Sequence, residues 1–229
     1  MALASLIVIR HAQAEHHVTG LTGGWTDTGL TALGRHQALR LARRLETELR
    51  GVPLALYTSD LRRTAETAAY VGEALGVHPV PCRALREFDN GMAAGKTLGE
   101  ARLLEAPRRP PYEDWQPYPG AETTRRFRAR VAALLDSLRE GPDALAVLVT
   151  HEGTLRHIVW WWLGLDLEAA AGRSVECLPT GLTVLRTNAW GERVIERLND
   201  TAHLADPERA EPLRWRSAPV AEEQEEKEP

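Results

Sequence analysis

The chain is poor in cysteine, with only Cys82 and Cys177 among its 229 residues. The two lie far apart and match neither a CxxC pair nor the cysteine and histidine spacing of a zinc site. This scarcity argues against a disulfide-stabilised secreted domain and against a bound metal. We therefore expect free thiols, no metal or other cofactor, and a location in the cytoplasm.

Long apolar runs are also missing. The longest candidate, Ile158 to Leu163, is far shorter than the roughly 18 residues that a spanning helix needs. The N-terminal apolar stretch lacks a basic start and a cleavage pattern, so it is typical of a strand and not of a signal peptide. An excess of positive charge is absent as well, since the formal net charge is -4. We expect neither a membrane nor a nucleic-acid partner, although local basic groups could bind small anions.

The rest of the composition describes an ordinary globular protein, with 43% hydrophobic and 26% charged residues. The length fits one domain, which we place at residues 1–205. Residues 206–229 turn polar and end in a run rich in glutamate. We expect this acidic tail to be disordered.

Two apolar runs each end in a histidine. Leu6 to Ile9 is followed by Arg10 and His11, and Ala144 to Thr150 is followed by His151. Such runs suit strands buried on both faces of a parallel sheet, and the carboxyl ends of parallel strands form the ligand crevice in α/β folds. Each histidine alone could equally be an ordinary residue at a strand end, so the remaining motifs have to decide.

Strand and helix patterns alternate along the chain, which predicts an α/β fold with three α/β/α layers and a mostly parallel central sheet. Thr31 and then Ser59 or Asp60 are candidate N-caps. The expected strands are 6–9, 54–59, 77–82, 144–150, 182–187 and 193–198, and the expected helices are 31–50, 59–76, 122–139 and 152–164.

Residues 105–120 contain five prolines and three aromatic residues, which excludes a regular helix there. An interdomain linker is one interpretation, but the aromatic residues favour a packed wall or lid. With the irregular stretch before it, this region forms a predicted substrate-covering segment at 85–120.

Several motifs, in sequence order, resemble the histidine phosphatase superfamily, in its phosphoglycerate-mutase-like branch, over roughly residues 5 to 204. Alanine at 12 and glutamate at 152 depart from the family pattern. The motifs are Arg10-His11-Ala12, Gly24-Trp25-Thr26-Asp27, Ser59 to Thr64 with Thr67-Ala68, Leu85-Arg86-Glu87, and Thr150-His151-Glu152-Gly153-Thr154.

The resemblance implies a metal-independent reaction in which His11 is the phosphoryl acceptor and Glu87 the proton donor. Arg10, Arg63 and His151, the last as an imidazolium, would stabilise the phosphoryl charge. The resemblance assigns the phosphate arginine to Arg63 and not to its neighbour Arg62. His17, Thr26 and Glu152 are further candidates for contact with phosphate or substrate.

The family contains phosphatases and mutases. Mutases follow the second histidine with Gly-Asn, whereas this chain has Glu152-Gly153, which favours a phosphatase acting on a phosphorylated small molecule. The paired Arg108-Arg109 before prolines favours a cofactor-dependent phosphoglycerate mutase as the alternative. A non-catalytic relative that binds a phospho-ligand is a third hypothesis, which the presence of His11 and Glu87 disfavours. The sequence leaves both a monomer and a homodimer open.

Overall fold

A six-stranded sheet forms the centre of the computed structural model, which describes residues 3–205. The sheet has the order β3-β2-β4-β1-β5-β6. Strands β1 to β4 run parallel to one another, β5 is antiparallel to β1, and β6 is antiparallel to β5. The predicted mostly parallel sheet is confirmed. Its strands are β1 (Ser5–Arg10), β2 (Ala55–Thr58), β3 (Val80–Pro81), β4 (Leu145–Thr150), β5 (Leu182–Thr187) and β6 (Arg193–Asp200).

Four long helices match the predicted ones, and three short helices were not predicted because one turn is too short to show a helical period. The helices are α1 (His16–Thr19), α2 (Ala32–Leu49), α3 (Arg62–Leu75), α4 (Leu98–Arg102), α5 (Thr124–Glu140), α6 (Glu152–Trp162) and α7 (Leu167–Ala170).

Successive side chains of β1 enter two different cores. Leu6 and Val8 pack in the core that contains residues of α5 and α6, whereas Ile7 and Ile9 pack in the core with residues of α2 and α3. Burying each such side chain contributes about 1.5–3 kcal/mol, which explains why this strand is apolar without alternation. The α/β/α layering is thereby confirmed.

The start of α2 agrees with the sequence, since the Gly34 N–H donates to Thr31 Oγ1 over 2.9 Å. The predicted caps of α3 are wrong. Its N-cap is Leu61 and makes no side-chain cap bond. The Ser59 hydroxyl lies 2.9 Å from a site histidine, and the Asp60 carboxylate binds Arg86, so neither side chain caps the helix.

The first turn of α5 also differs from the prediction. The helix begins at Thr124, after a cap in which Thr123 Oγ1 accepts from the Arg126 N–H, and not at Glu122. The Glu122 carboxylate instead forms an ion pair with Arg130, at 2.5 Å.

The segment 85–120 is irregular, as expected, apart from α4 and two 3₁₀ turns at Gly91–Ala93 and Tyr112–Asp114. Its second half folds back on itself, because the Ala106 N–H donates to the Pro117 carbonyl over 2.8 Å. The Arg108 guanidinium lies 4.8 Å from the centre of the Tyr112 ring. A covering role over substrate stays a prediction.

Within residues 3–205, no helix is both long enough and apolar enough to cross a membrane. Trp160 and Trp162 are buried, in agreement with a packing role. The predicted disorder of 206–229 concerns residues outside the described range.

Candidate active site

Three adjacent strands deliver side chains to one edge of the sheet. In the parallel register Arg10 pairs with Thr150, so His11 and His151 are each the first residue beyond their strand. The His11 N–H donates to the Thr150 carbonyl over 2.9 Å, and the two imidazole centres lie 5.1 Å apart. Ser59 follows β2 on the other side of β4. The site therefore forms where parallel strands end, as α/β folds favour.

The His11 ring is buried, at 3% exposure, and its hydrogen bonds determine its tautomer. Nδ1 lies 2.7 Å from the Ala12 carbonyl oxygen, which can only accept, so Nδ1 carries the proton. Nε2 keeps its lone pair and accepts from Arg63 Nε over 3.2 Å. Burial, helped by the charge of Arg63, holds the pKa of His11 well below its usual value. The result is a neutral imidazole with a nucleophilic nitrogen.

Arg63 connects the site histidines to the loop after β1. Its Nη1 and Nη2 donate over 2.7 Å to the carbonyls of Thr26 and Gly24. Its Nη2 also lies 3.0 Å from His151 Nδ1. Burial lowers the pKa of Arg63 to about 10, which leaves the guanidinium charged at neutral pH. One cation therefore faces both imidazoles.

The neighbouring arginine points elsewhere. The Arg62 side chain is 63% exposed and pairs with Glu66 over 2.7 Å, whereas Arg63 is 1% exposed. Two consecutive helical residues diverge by about 100°, so only one can enter the cleft.

His151 is also neutral in this arrangement. Its Nδ1 faces the Arg63 guanidinium, a donor, and its Nε2 lies 2.9 Å from Ser59 Oγ. Burial, followed by the Arg63 charge, lowers the pKa of His151 well below its usual value. The expectation of an imidazolium is not met here, because a buried ring beside a guanidinium favours the uncharged form. A phosphate dianion between them would raise the pKa again.

One guanidinium nitrogen of Arg10 forms no hydrogen bond within the described part of the chain. Its Nη1 donates to the Cys177 carbonyl and forms an ion pair with Glu152 Oε2 at 2.7 Å. Its Nε is buried and has no hydrogen-bond partner within residues 3–205. A buried unpaired donor is costly, so this N–H is well suited to donate to an incoming phosphate oxygen.

A pair of histidines on α1 lies beside this cation. The Ala14 N–H donates to His17 Nδ1 over 3.2 Å, so the ring proton lies on Nε2, which is 3.5 Å from Arg10 Nη2. Burial, then the charge of Arg10, lowers the pKa of His17 to about 4. The neutral ring thus presents an N–H donor. His16, whose ring centre is 4.2 Å from that of His17, was not predicted, although its place in the loop leaving β1 was a signal.

The ligand nitrogens of His11, His16 and His17 lie within 4.8 Å of one another, as in a three-histidine metal site. Two features favour an anion at this position over a divalent cation. Arg10 and Arg63 flank the cluster, and the His17 lone pair is already used by the Ala14 N–H. The expected independence from metal stays a prediction.

Thr26 braces the loop through its side chain. Its Oγ1 lies 3.1 Å from Thr22 Oγ1 and accepts from the Gly95 N–H over 2.9 Å. Only its carbonyl contacts the site, through Arg63. Substrate contact by this threonine therefore stays a prediction.

Glu87 is held against the start of α6. Its Oε1 accepts from the Phe88 N–H over 2.8 Å, and its Oε2 accepts from the Gly153 N–H over 2.9 Å. A Cβ at Gly153 would overlap the Glu87 carboxylate, so any side chain there would displace Glu87 from this position. The nearby Asp89 carboxylate accepts from the Gly91 N–H within its own turn.

Fold and site together define an α/β protein that presents a nucleophilic imidazole and two guanidinium groups at the ends of parallel strands. The sequence profile of the histidine phosphatase superfamily (branch 1) matches residues 6–201. The chain belongs to this family, which confirms the predicted resemblance.

Proteins with different names are similar to this chain. The chain is 33% identical over 168 residues to 2,3-bisphosphoglycerate-dependent phosphoglycerate mutase of Methylobacterium radiotolerans, covering 67% of this chain and 76% of the relative. It is 28% identical over 214 residues to phosphoserine phosphatase 1 of Hydrogenobacter thermophilus, covering 89% and 96%. A solved mycobacterial glucosyl-3-phosphoglycerate phosphatase in complex with VO3 has 27% identity and a TM-score of 0.70, covering 86% of this chain and 98% of that one.

Proposed function

We propose that this protein is a metal-independent phosphomonoesterase that acts on small phosphorylated metabolites through a phosphohistidine at His11. The observation that carries the proposal is the fixed tautomer of His11. Its Nδ1 proton is held by the Ala12 carbonyl at 2.7 Å, so Nε2 keeps its lone pair, which accepts from Arg63 Nε over 3.2 Å. The phosphatase names of two relatives support the same reaction.

In the first half-reaction, His11 Nε2 attacks phosphorus and the bond to the ester oxygen breaks. Arg63 and the unpaired Arg10 Nε–H stabilise the phosphoryl oxygens, and the His17 Nε2–H adds a neutral donor. Glu87, protonated at this stage, transfers its proton to the departing oxygen, so the alcohol leaves neutral.

In the second half-reaction, water attacks the phosphohistidine and gives its proton to the Glu87 carboxylate. The N–P bond breaks, and inorganic phosphate leaves a neutral His11. Two backbone N–H groups, at Phe88 and Gly153, donate to the Glu87 carboxylate and hold it in position for this proton transfer.

The test is to mix enzyme and substrate briefly and quench. We expect an acid-labile, alkali-stable phosphoryl group on the native protein and on the His78→Ala control, whose histidine is exposed, and none on His11→Ala. Exhaustive chelation should leave turnover unchanged. Ordinary turnover by His11→Ala, or strict dependence on a divalent ion, would refute this mechanism.

A mutase is the second candidate, because one relative carries that name at 33% identity. Two observations disfavour a mutase. Glu152-Gly153 follows His151 where mutases have Gly-Asn. Arg108 stacks on Tyr112 and lines a separate cavity of about 500 Å³. With 3-phosphoglycerate and a bisphosphoglycerate primer, we expect release of free phosphate to exceed formation of 2-phosphoglycerate. Isomerisation without phosphate release would favour the mutase.

The proposal includes a cytoplasmic location and a single domain over 1–205. Both cysteines are free, which fits a reducing compartment. We propose no nucleic-acid partner and leave monomer and homodimer to be distinguished by analytical ultracentrifugation. Fractionation of the producing cells tests the location.

A further inference from the structure

Glu152 introduces a negative charge next to the group that is to hold phosphate. Its Oε2 lies 2.7 Å from Arg10 Nη1, and its side chain remains 30% exposed. It directly follows His151 and opens α6. The carboxylate therefore contacts Arg10 and remains partly open to solvent beside the site.

When Glu87 is protonated, the charged groups at the site histidines leave a single net positive charge before any substrate binds. Arg10 and Arg63 are the two cations in contact with the site histidines, and Glu152 offsets one of them. With Glu87 protonated for the first half-reaction, a bound phosphate dianion already exceeds the remaining positive charge. A second anion on the leaving group would add uncompensated repulsion, whereas a cation would be attracted.

We infer that Glu152 determines the charge class of the substrate. It favours phosphomonoesters whose leaving group carries a protonated amine, and it disfavours those that carry a second anion such as a carboxylate. This inference rests on the proposed phosphatase activity and specifies the substrates of the same site. Glu152 acts as a specificity residue through its charge, and as a positioning residue through its ion pair with Arg10.

Arg83 is a cation near the cleft that could offset the negative charge of Glu152. Arg83 is exposed and lies 4.9 Å from the centre of the Trp25 ring, where it could attract a second anion. Its charge is shared, however, because Arg86 and then Arg83 lower the pKa of the nearby Asp60 carboxyl. We therefore expect Arg83 to compensate a substrate carboxylate less than Glu152 repels it.

The experiment uses three esters with leaving groups of similar size and different charge: phosphoethanolamine, ethyl phosphate and phosphoglycolate. Their kcat/KM values are measured for the native protein and for Glu152→Gln, which keeps the side-chain size and removes the charge. Intrinsic differences in leaving-group reactivity cancel when the ratio of phosphoethanolamine to phosphoglycolate is compared between proteins. Glu48→Gln is the matched control. Glu48 forms an ion pair with Arg44 on α2, and this substitution changes the net charge by the same amount as Glu152→Gln.

We expect Glu152→Gln to lower the ratio of phosphoethanolamine to phosphoglycolate by about tenfold or more, with ethyl phosphate between them and Glu48→Gln unchanged. A uniform loss on all three esters would mean that Glu152 only positions Arg10, and would overturn the inference. So would a ratio that responds to Arg83→Gln and not to Glu152→Gln. If the native protein releases no phosphate even from nitrophenyl phosphate, the proposed function itself fails, a result distinct from these.

Discussion

At the scale of single residues, one buried guanidinium connects the two histidines of the site with the loop after β1. Arg63 donates to the carbonyls of Thr26 and Gly24 through Nη1 and Nη2, while its Nε faces His11 and its Nη2 also faces His151. This planar set of donors cannot be replaced by a lysine, which offers a single ammonium group.

We predict that Arg63→Ala lowers kcat/KM by about 10²–10³-fold, because the phosphoryl oxygens lose a preorganised cation. Arg62→Ala should change it little, since that side chain is 63% exposed and paired with Glu66. Steady-state kinetics with a nitrophenyl phosphate measures both. A larger loss for Arg62→Ala would show that the wrong arginine is placed in the mechanism.

The role of Glu87 can be tested by comparing esters with different leaving groups. Without a donor, an alkyl ester must expel a basic alkoxide, whereas an aryl ester expels a stable phenolate. We predict that Glu87→Gln slows alkyl esters by about 10²–10⁴-fold and aryl esters far less. Asp89→Asn is the control, because the Asp89 carboxylate accepts a hydrogen bond from the Gly91 N–H within its own turn. Equal losses on both ester types would mean that Glu87 positions substrate and the proton comes from another group.

At the scale of elements, the start of α6 determines where Glu87 lies. The Gly153 N–H donates to Glu87 Oε2 over 2.9 Å, and the absence of a side chain at Gly153 makes room for the carboxylate. The lack of a side chain at Gly153 thus keeps Glu87 in place through a close approach, and not through the backbone angles of the glycine.

We predict that Gly153→Ala displaces Glu87 and reproduces the selective loss on alkyl esters seen in Glu87→Gln. The matched control is Gly99→Ala in α4, where an added Cβ meets no atom within 4 Å. Circular dichroism verifies that both variants fold. Unchanged hydrolysis of alkyl esters by Gly153→Ala would contradict this account of how the donor is held.

At the scale of the whole molecule, several histidines fold in their neutral form. Burial is the largest cause in each case, and it lowers the pKa of His16 and His157 to about 3 and of His17 and His203 to about 4. In the unfolded chain these groups titrate near the usual value of about 6.5. Between those pH values the unfolded state binds more protons than the folded state, so stability falls as the pH falls.

We predict that Tm decreases from pH 7 to pH 5, measured by thermal unfolding in buffers of equal ionic strength. The hydrogen bond from Arg44 lowers the pKa of Asp200 to about 2, so Asp200 stays ionised and its contribution to stability does not change between pH 7 and pH 5. A change in Tm in this range therefore reports on the histidines. His157→Gln should reduce the pH slope even if it lowers Tm at pH 7. A Tm that rises toward pH 5 would refute the assignment of neutral buried rings.

The sequence by itself determined the layered fold, the long elements, the family and the residues at the strand ends. These follow from local signals: four apolar residues before His11, helical periods in α2 and α5, and motifs in a fixed order. The divergence of adjacent helical residues also determined that Arg62 and Arg63 cannot both enter the cleft.

Only the tertiary structure decided how those residues interact. The ion pair of Arg10 with Glu152 and the contact of Ser59 with His151 join residues far apart in the chain. The neutral state of His151 depends on its burial beside Arg63. The tautomer of His11 depends on the position of the Ala12 carbonyl, which follows from the local backbone path and not from the identity of the residue. Protonation and charge balance are set by distance and burial in three dimensions, and for that reason they could not be predicted from the order of residues alone.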